Sequence, residues 1–351
     1  MQQSRHMHHS YNSMPKPAYL LPLLLLLAAC QGEPPVQRKT FTAYGSPVTI
    51  AVQGRATDAV RHALEEAATD LLYIEDGNNP AIPGPMARTN QLLAATGEFS
   101  AVPSLLPQIR QAQQLAARSG GMFNPALGGL LELWGFYREP KGPPPAPDAV
   151  AALAARRPAM GDITIEGISM RSNNAAVRLD LGDFGRGYAL DTALARLREA
   201  GVTAASLTTP GAAARIGAGA ELVLTFTGAD GRTPLARAAL LPDEAAYTVT
   251  ALRHGYIYEG QLYHPLLDPA DGMPARGVFA VTVFHASLAE AAAAAHALFV
   301  AGPARWADTA RALGIERALL VDTADTVRVT APLAARVSMT DARLTPVVDR
   351  L

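Results

Sequence analysis

The chain has 351 residues, 30 basic against 31 acidic side chains, a formal net charge of -1 and 49% hydrophobic residues. This is the composition of a folded globular protein; it excludes a disordered or strongly charged class and offers no basic face for nucleic acid. A single cysteine, Cys30, excludes an intrachain disulfide and a cysteine-based metal cluster.

Residues 1–30 open polar, with Arg5, three histidines and Lys16, then turn apolar through Ala18-Tyr19-Leu20-Leu21-Pro22 and the leucines Leu23 to Leu27. A positive start before an apolar run of about 12 residues, short of the ~20 that a membrane-spanning helix needs, reads as an export signal. The run ends Leu27-Ala28-Ala29-Cys30, which resembles a bacterial lipobox. Cys30 is therefore expected to carry the lipid anchor of an exported lipoprotein held on the periplasmic side of a bacterial membrane. A free cysteine beside an ordinary signal is the plainer alternative. Residues 31–40, polar and proline-bearing, read as a tether, leaving 41–351 as the folded domain.

Phe41 to Val52 has strand composition around a Gly45-Ser46-Pro47 break, and the spacing of Val60, Leu64, Ala67, Ala68 and Leu71 predicts a helix over 56–72. Glycine, proline and asparagine predict a loop over 76–85, and a second apolar stripe predicts a helix over 104–118 stopped by Gly120-Gly121. The proline-rich segment 140–147 is a spacer or surface excursion. Two strand-like pieces between Ile163 and Asp180 suggest a hairpin turning at 171–174, followed by a helix over 187–200. Strands are expected at 221–227, 246–250, 256–258, 278–284 and 318–321, with helices at 287–300 and 304–313. Short hairpins mixed with helices make the fold α+β.

Four segments carry candidate chemistry. Gly120 to Phe136 packs glycines, a proline and aromatics; Asn124 can bind nearby backbone, and Gly128-Gly129 leaves room for a ligand or for another chain segment. Leu179-Asp-Leu-Gly-Asp-Phe-Gly-Arg-Gly-Tyr-Ala-Leu-Asp191 is a strand, a glycine-rich bend and a helix start, where free N–H groups and Arg186 can receive phosphate. Tyr263 to Ala275 places Asp268 and Asp271 around a turn just after His264, either to hold a polar group or only to form the turn. Ser287-Leu-Ala-Glu290 is a capping box ahead of an alanine-rich helix containing His296, which is read as a partly buried hydrogen-bonding residue or as a metal ligand.

In order and wording these segments resemble the FAD:protein FMN transferase family, the ApbE-type proteins, over nearly all of the chain after the signal. Gly45-Ser46 matches the family's early Gly-Thr. Phe123-Asn-Pro-Ala-Leu-Gly-Gly-Leu130 and Leu133-Trp-Gly-Phe136 match Phe-Asp-Pro-Thr-x-Gly-Pro-Leu and Leu-Trp-Gly-Phe. Leu179 to Asp191 matches Leu-Asp-Leu-Gly-Gly-Ile-Ala-Lys-Gly-Tyr-Ala-x-Asp; 265–274 resembles His-Ile-Ile-Asp-Pro-x-Thr-Gly-x-Pro, and Ala291 to Phe299 resembles Ala-Asp-Ala-x-x-Thr-Ala-Leu-Phe.

The resemblance implies two closely joined lobes with mixed, largely antiparallel sheets and packed helices. It implies FAD as donor, Mg2+ at the pyrophosphate, and FMN transfer to a threonine or serine of a membrane-associated acceptor protein with release of AMP. By position it assigns Asp268 and Arg186 to catalysis; Ser46, Asn124, Trp134, Gly182, Gly185, Gly187, Tyr188, Thr209, His264 and Asp268 to the cofactor; and Gly185, Asp183 and His296 to the metal. The sequence departs from the pattern where a metal-ligating Asp and Thr become Ala292 and His296, a histidine becomes Pro265, Gly-Gly becomes Gly182-Asp183, and Asn-Leu-Gly-Gly-Asp becomes Thr209-Pro-Gly-Ala-Ala213. Three readings stay open: a working or weakened transferase, a catalytically silent flavin-binding or maturation-accessory lipoprotein, and an unrelated periplasmic protein.

Overall fold

The computed structural model describes residues 35–218 and 220–351. Cys30, the export signal and the start of the tether lie outside the described residues. Among those described, no helix is long and apolar enough to cross a membrane.

The body begins with β1 (Val36–Ala43) and β2 (Ser46–Gln53), a hairpin whose two turn residues, Tyr44 and Gly45, both have left-handed backbone. Its first strand starts inside the segment expected to be tether. Helix α1 (Asp58–Asn78) is capped by Thr57, whose Oγ1 accepts the Val60 N–H at 3.2 Å, and it buries Leu64, Ala67 and Leu71 on one face. Contrary to expectation the helix continues to Asn78, and a further helix, α2 (Pro85–Ala94), follows where no element was predicted; proline sits in its first turn, where its missing N–H has no cost.

After β3 (Phe99–Ser100) come α3 (Leu106–Arg118), α4 (Gly128–Leu133) and α5 (Pro147–Ala154). The expected 163–180 hairpin is corrected: β4 (Ile163–Glu166) and β5 (Ser169–Ser172) pair within that range, and the chain turns at Gly167 in left-handed backbone. Residues 176–181 form no ladder of their own. Helix α6 (Gly182–Glu199) starts five residues before the predicted boundary. Its apolar stripe did not announce the first turn, which is glycine-rich and faces neighbouring chain.

The remaining elements are β6 (Ala205–Thr209), β7 (Ala212–Ile216), β8 (Leu222–Thr227), β9 (Pro234–Leu240), β10 (Ala245–Thr250), β11 (Tyr256–Tyr258), β12 (Gln261–Tyr263), β13 (Val278–His285), α7 (Leu288–Leu313), β14 (Arg317–Asp322), β15 (Val327–Thr330), α8 (Ala331–Ala334), β16 (Val337–Met339) and β17 (Val347–Asp349). The large sheet runs β1-β2-β6-β7-β10-β13-β14-β15-β17, antiparallel except between β15 and β17. Residues 36–351 form one compact unit. Alternation along β10 shows how the sheet separates two cores: Ala245, Tyr247 and Val249 pack with α1, α6 and α7, whereas Ala246 packs with Phe226 and Leu235 of the small sheet β16-β9-β8. The two predicted late helices are both present within α7, which is interrupted where Gly302 leaves helical geometry ahead of Pro303.

Candidate active site

A cleft of about 320 Å3 opens where the β1–β2 turn, the end of α1, residues 123–137 and the first turns of α6 meet. Its walls are aromatic, with Tyr44, Phe123, Phe136, Tyr137 and Phe184. Polar side chains share the lining, among them Glu75, Asn78, Asp180, Asp183, Arg186 and His254. The α6 start is built by Gly182, at φ 46, and by Asp180, whose Oδ1 accepts the Gly182 N–H at 2.7 Å. Tyr137 donates its hydroxyl to Asp180 Oδ2 at 2.5 Å. Burial pushes the Asp180 carboxyl above its ordinary value, although these two hydrogen bonds oppose the rise.

Within the first turn of α6 a charged cluster begins at Asp183. Tyr247 of β10 donates to Asp183 Oδ1 at 2.6 Å, and Arg253 Nη1 lies 3.5 Å from the same oxygen. Arg186, 4% exposed, donates from Nη2 to Thr209 Oγ1 at 2.7 Å and from both Nη atoms to the Pro210 carbonyl at 3.1 Å. Arg253 donates to the same carbonyl. Both guanidinium carbons stand 5.9 Å from the Tyr247 ring centroid. Burial, with Asp183 beside it, pushes the Tyr247 phenol up, so it stays a donor. Two buried polar atoms on cleft-lining residues, Asn78 Oδ1 and Arg186 Nε, have no partner.

The predicted residues divide by place. Asn124, Gly182, Asp183, Arg186 and His296 line the cleft. The Asn124 amide, however, is engaged locally: it donates to the Pro158 carbonyl at 2.9 Å and accepts the Ala126 N–H at 3.1 Å. Trp134 is 3% exposed in a satellite core with Leu130, Val150 and Leu267, its Nε1 donating to the Gly272 carbonyl at 2.9 Å; it backs the cleft and does not face it. Ser46 opens β2 beyond the hairpin turn, and the neighbour that reaches the cleft is Tyr44.

Gly185 and Gly187 serve helix packing. A Cβ on Gly185 would come within 2.8 Å of Asn78 Nδ2, and one on Gly187 within 2.5 Å of the Leu288 carbonyl oxygen. Gly128 likewise makes room for chain, since its Cβ would meet the Arg178 carbonyl oxygen at 2.8 Å. Tyr188 packs its ring 6.5 Å from Phe184, away from the cleft. Thr209 is held by Arg186. His264 is buried, 3.1 Å from the Ala275 carbonyl oxygen and edge-on to Phe299. Asp268 Oδ1 accepts the Ala270 N–H at 2.9 Å and so closes its own turn, while the preceding Pro265, Leu266 and Leu267 are the residues on the cleft. Tyr137, Asp180, Tyr247 and Arg253 were not singled out in the sequence. Asp180 stood inside the quoted motif, but nothing local marks Arg253, which arrives from the connection after β10.

The cation implied by the resemblance does not fit. Among the described residues no three His, Cys, Asp or Glu side chains gather to hold a metal. Asp183 is engaged by Tyr247 and Arg253, Ala292 is fully buried without an oxygen, and the His296 ring stands edge-on to Phe123 at 5.7 Å. Burial brings His296 down to about 4, so at neutral pH it is uncharged. A flavin nucleotide does fit: flat aromatic walls meet a buried guanidinium and two unpartnered polar atoms.

A family model, described as the ApbE family, matches residues 44–319. The chain belongs to the ApbE family. Among curated ApbE relatives, the FAD:protein FMN transferase of Rhodobacter capsulatus is 32% identical over 314 residues, covering 85% of this chain and 58% of that protein. The chain thus spans little more than half of that relative. The FAD:protein FMN transferase of Treponema pallidum is 28% identical over 262 residues, 68% of this chain and 71% of that protein. The fold matches that of the ApbE protein from Thermotoga maritima with a TM-score of 0.78 at 22% identity, covering 86% of this chain and 99% of that one. It also matches the flavin transferase ApbE from Vibrio cholerae, with a TM-score of 0.69 at 20% identity over 84% and 96% of the two chains.

Proposed function

We propose that the chain binds FAD in the aromatic cleft and transfers FMN to a threonine or serine hydroxyl of a membrane-associated acceptor protein. The observation that carries this is the meeting of aromatic walls with the buried guanidinium of Arg186, in a member of a family whose curated relatives bear the name FAD:protein FMN transferase. The flavin ring lies between the aromatic walls. The phosphates lie toward Arg186, where a charge-assisted contact grows as negative charge develops on the phosphoryl oxygens.

In the transfer, the acceptor oxygen forms a bond to the phosphorus of the FMN half. The bond from that phosphorus to the bridging oxygen breaks, and AMP leaves with the electron pair. The hydroxyl proton passes to Asp180, whose carboxylate on the cleft wall is made more basic by burial. Asp268, to which the resemblance gives the acceptor region, holds the 268–273 turn that places Pro265 to Leu267 on the wall.

Mg2+ takes no step in this scheme, because Ala292 and His296 stand where the resemblance calls for two oxygen ligands. Export and attachment through Cys30 put the domain on the periplasmic side, beside membrane-associated acceptors; intact mass of the processed protein, starting at an acylated Cys30, tests that part. For transfer itself, FAD is incubated with the protein and a threonine-bearing acceptor, and AMP and acceptor-bound flavin fluorescence are followed. Ala292 and Pro265 favour a second reading, a flavin-binding protein without transferase activity. Saturable FAD binding with neither product would make that second reading the right one.

A further inference from the structure

The strongest unused feature is the seat of Arg253. It lies against the β6–β7 turn at Gly211, whose φ is +78 and where a Cβ would come within 1.7 Å of Arg253 Nη2, so only glycine lets the guanidinium in. Its side chain is 16% exposed and meets Arg186 at a shared carbonyl, that of Pro210. Two guanidinium groups, with five N–H donors each, here face four protein acceptors: the Pro210 carbonyl, Thr209 Oγ1, the Tyr247 hydroxyl and Asp183 Oδ1. Donors remain in excess, one of them the buried and unpartnered Arg186 Nε. Among the described residues, Asp183 is the one carboxylate that pairs with either cation, through Arg253.

We propose that Arg253 and Arg186 form an anion site which takes the pyrophosphate of a dinucleotide without a divalent cation. Guanidinium forks suit phosphate oxygens, and their charge is fixed at every physiological pH. The cluster thereby supplies, from side chains, the positive charge that Ala292 and His296 cannot hold as a metal. Asp183, paired with Arg253, offsets part of this charge and leaves the rest for the anion. This rests on the flavin reading above.

The test is calorimetric titration of the protein with FAD, riboflavin and inorganic pyrophosphate, each with excess EDTA and with Mg2+. FAD is expected to bind equally well, within about threefold, in both conditions. Arg253→Ala should weaken FAD and pyrophosphate about tenfold or more while leaving riboflavin unchanged, and Arg253→Lys should keep part of the affinity. Asp183→Asn should leave pyrophosphate binding unchanged or tighter, whereas a metal ligand lost at that position would weaken it. FAD binding that requires Mg2+, or full affinity in Arg253→Ala, overturns the anion site and leaves the flavin reading standing. Pyrophosphate binding in EDTA that depends on Arg253, with no FAD binding, sinks the flavin reading and keeps the site. Absence of both overturns both. Should Arg253→Ala fail to fold, the EDTA comparison on the unaltered protein and Arg253→Lys still decide.

Discussion

Burial decides what the histidines of this fold can do. His264 is 6% exposed, its Nε2 faces the Ala275 carbonyl oxygen, and its Nδ1 has no partner. Desolvation lowers it from 6.5 to about 4, although the Ala275 contact opposes the fall. The folded value lies below the unfolded one, so between them the unfolded chain binds more protons. Stability from this residue is therefore complete above pH 6.5 and is lost as pH falls toward 4. Its size is about 3 kcal/mol. Raised values at Asp180 and Asp191 act in the opposite sense, so a variant must isolate the histidine. His264→Gln keeps an N–H for Ala275 and cannot titrate; its urea midpoint should vary less between pH 7 and pH 4.5 than that of the parent. Parallel slopes in the two proteins would rule the assignment out.

At the scale of elements, one junction ties α6 to α7. Asp191 Oδ1 accepts the Leu288 N–H at 2.9 Å, its Oδ2 accepts the Ala289 N–H at 3.0 Å, and Ser287 donates its hydroxyl to it at 2.7 Å. The start of α7 is thus capped from a neighbouring helix as well as by Ser287, whose Oγ accepts the Glu290 N–H at 3.2 Å. Gly187 lets the two helices approach this closely. Gly187→Ala should cost about 3 kcal/mol or prevent folding, and Asp191→Ala about 2 kcal/mol, both read as loss of thermal stability. A Gly187→Ala protein as stable as its parent would contradict the packing role.

The same junction shows what a sequence discloses. Helix spacing exposed α1, α3 and the later turns of α6, whose apolar residues face one core, whereas α7, buried on nearly every side through its first half, was marked by its alanine run. The capping box at Ser287 also stood in plain view. Gly185 and Gly187, however, look alike whether a glycine admits a phosphate or a neighbouring helix, and only the three-dimensional neighbours separate the two. The cleft was half visible. Phe123, Asn124 and Gly182 to Arg186 sit in contiguous motifs, whereas Tyr44 of the wall and the Asp183 partners Tyr247 and Arg253 converge from strands and turns remote in sequence, which no local pattern records.

For the whole molecule, the departures from the ApbE pattern act together. Ala292 is fully buried on α7, and His296 lies one turn later against Phe123. Replacing only Ala292 by Asp would bury a carboxylate without a partner, at a cost of about 3–5 kcal/mol. Changing His296 to Thr at the same time removes the imidazole and adds a second oxygen ligand, so a cation can hold both. The parent should show no change in melting temperature with Mg2+, and Ala292→Asp alone should melt well below it. In the double variant Mg2+ should recover stability, about 2.7 kcal/mol at a hundredfold excess over its Kd, and FAD affinity should become Mg2+-dependent. The two changes belong to one site and need not add. A parent protein already stabilised by Mg2+ would show that this chain holds the cation through other groups, and the metal-free account of the cleft would fall with it.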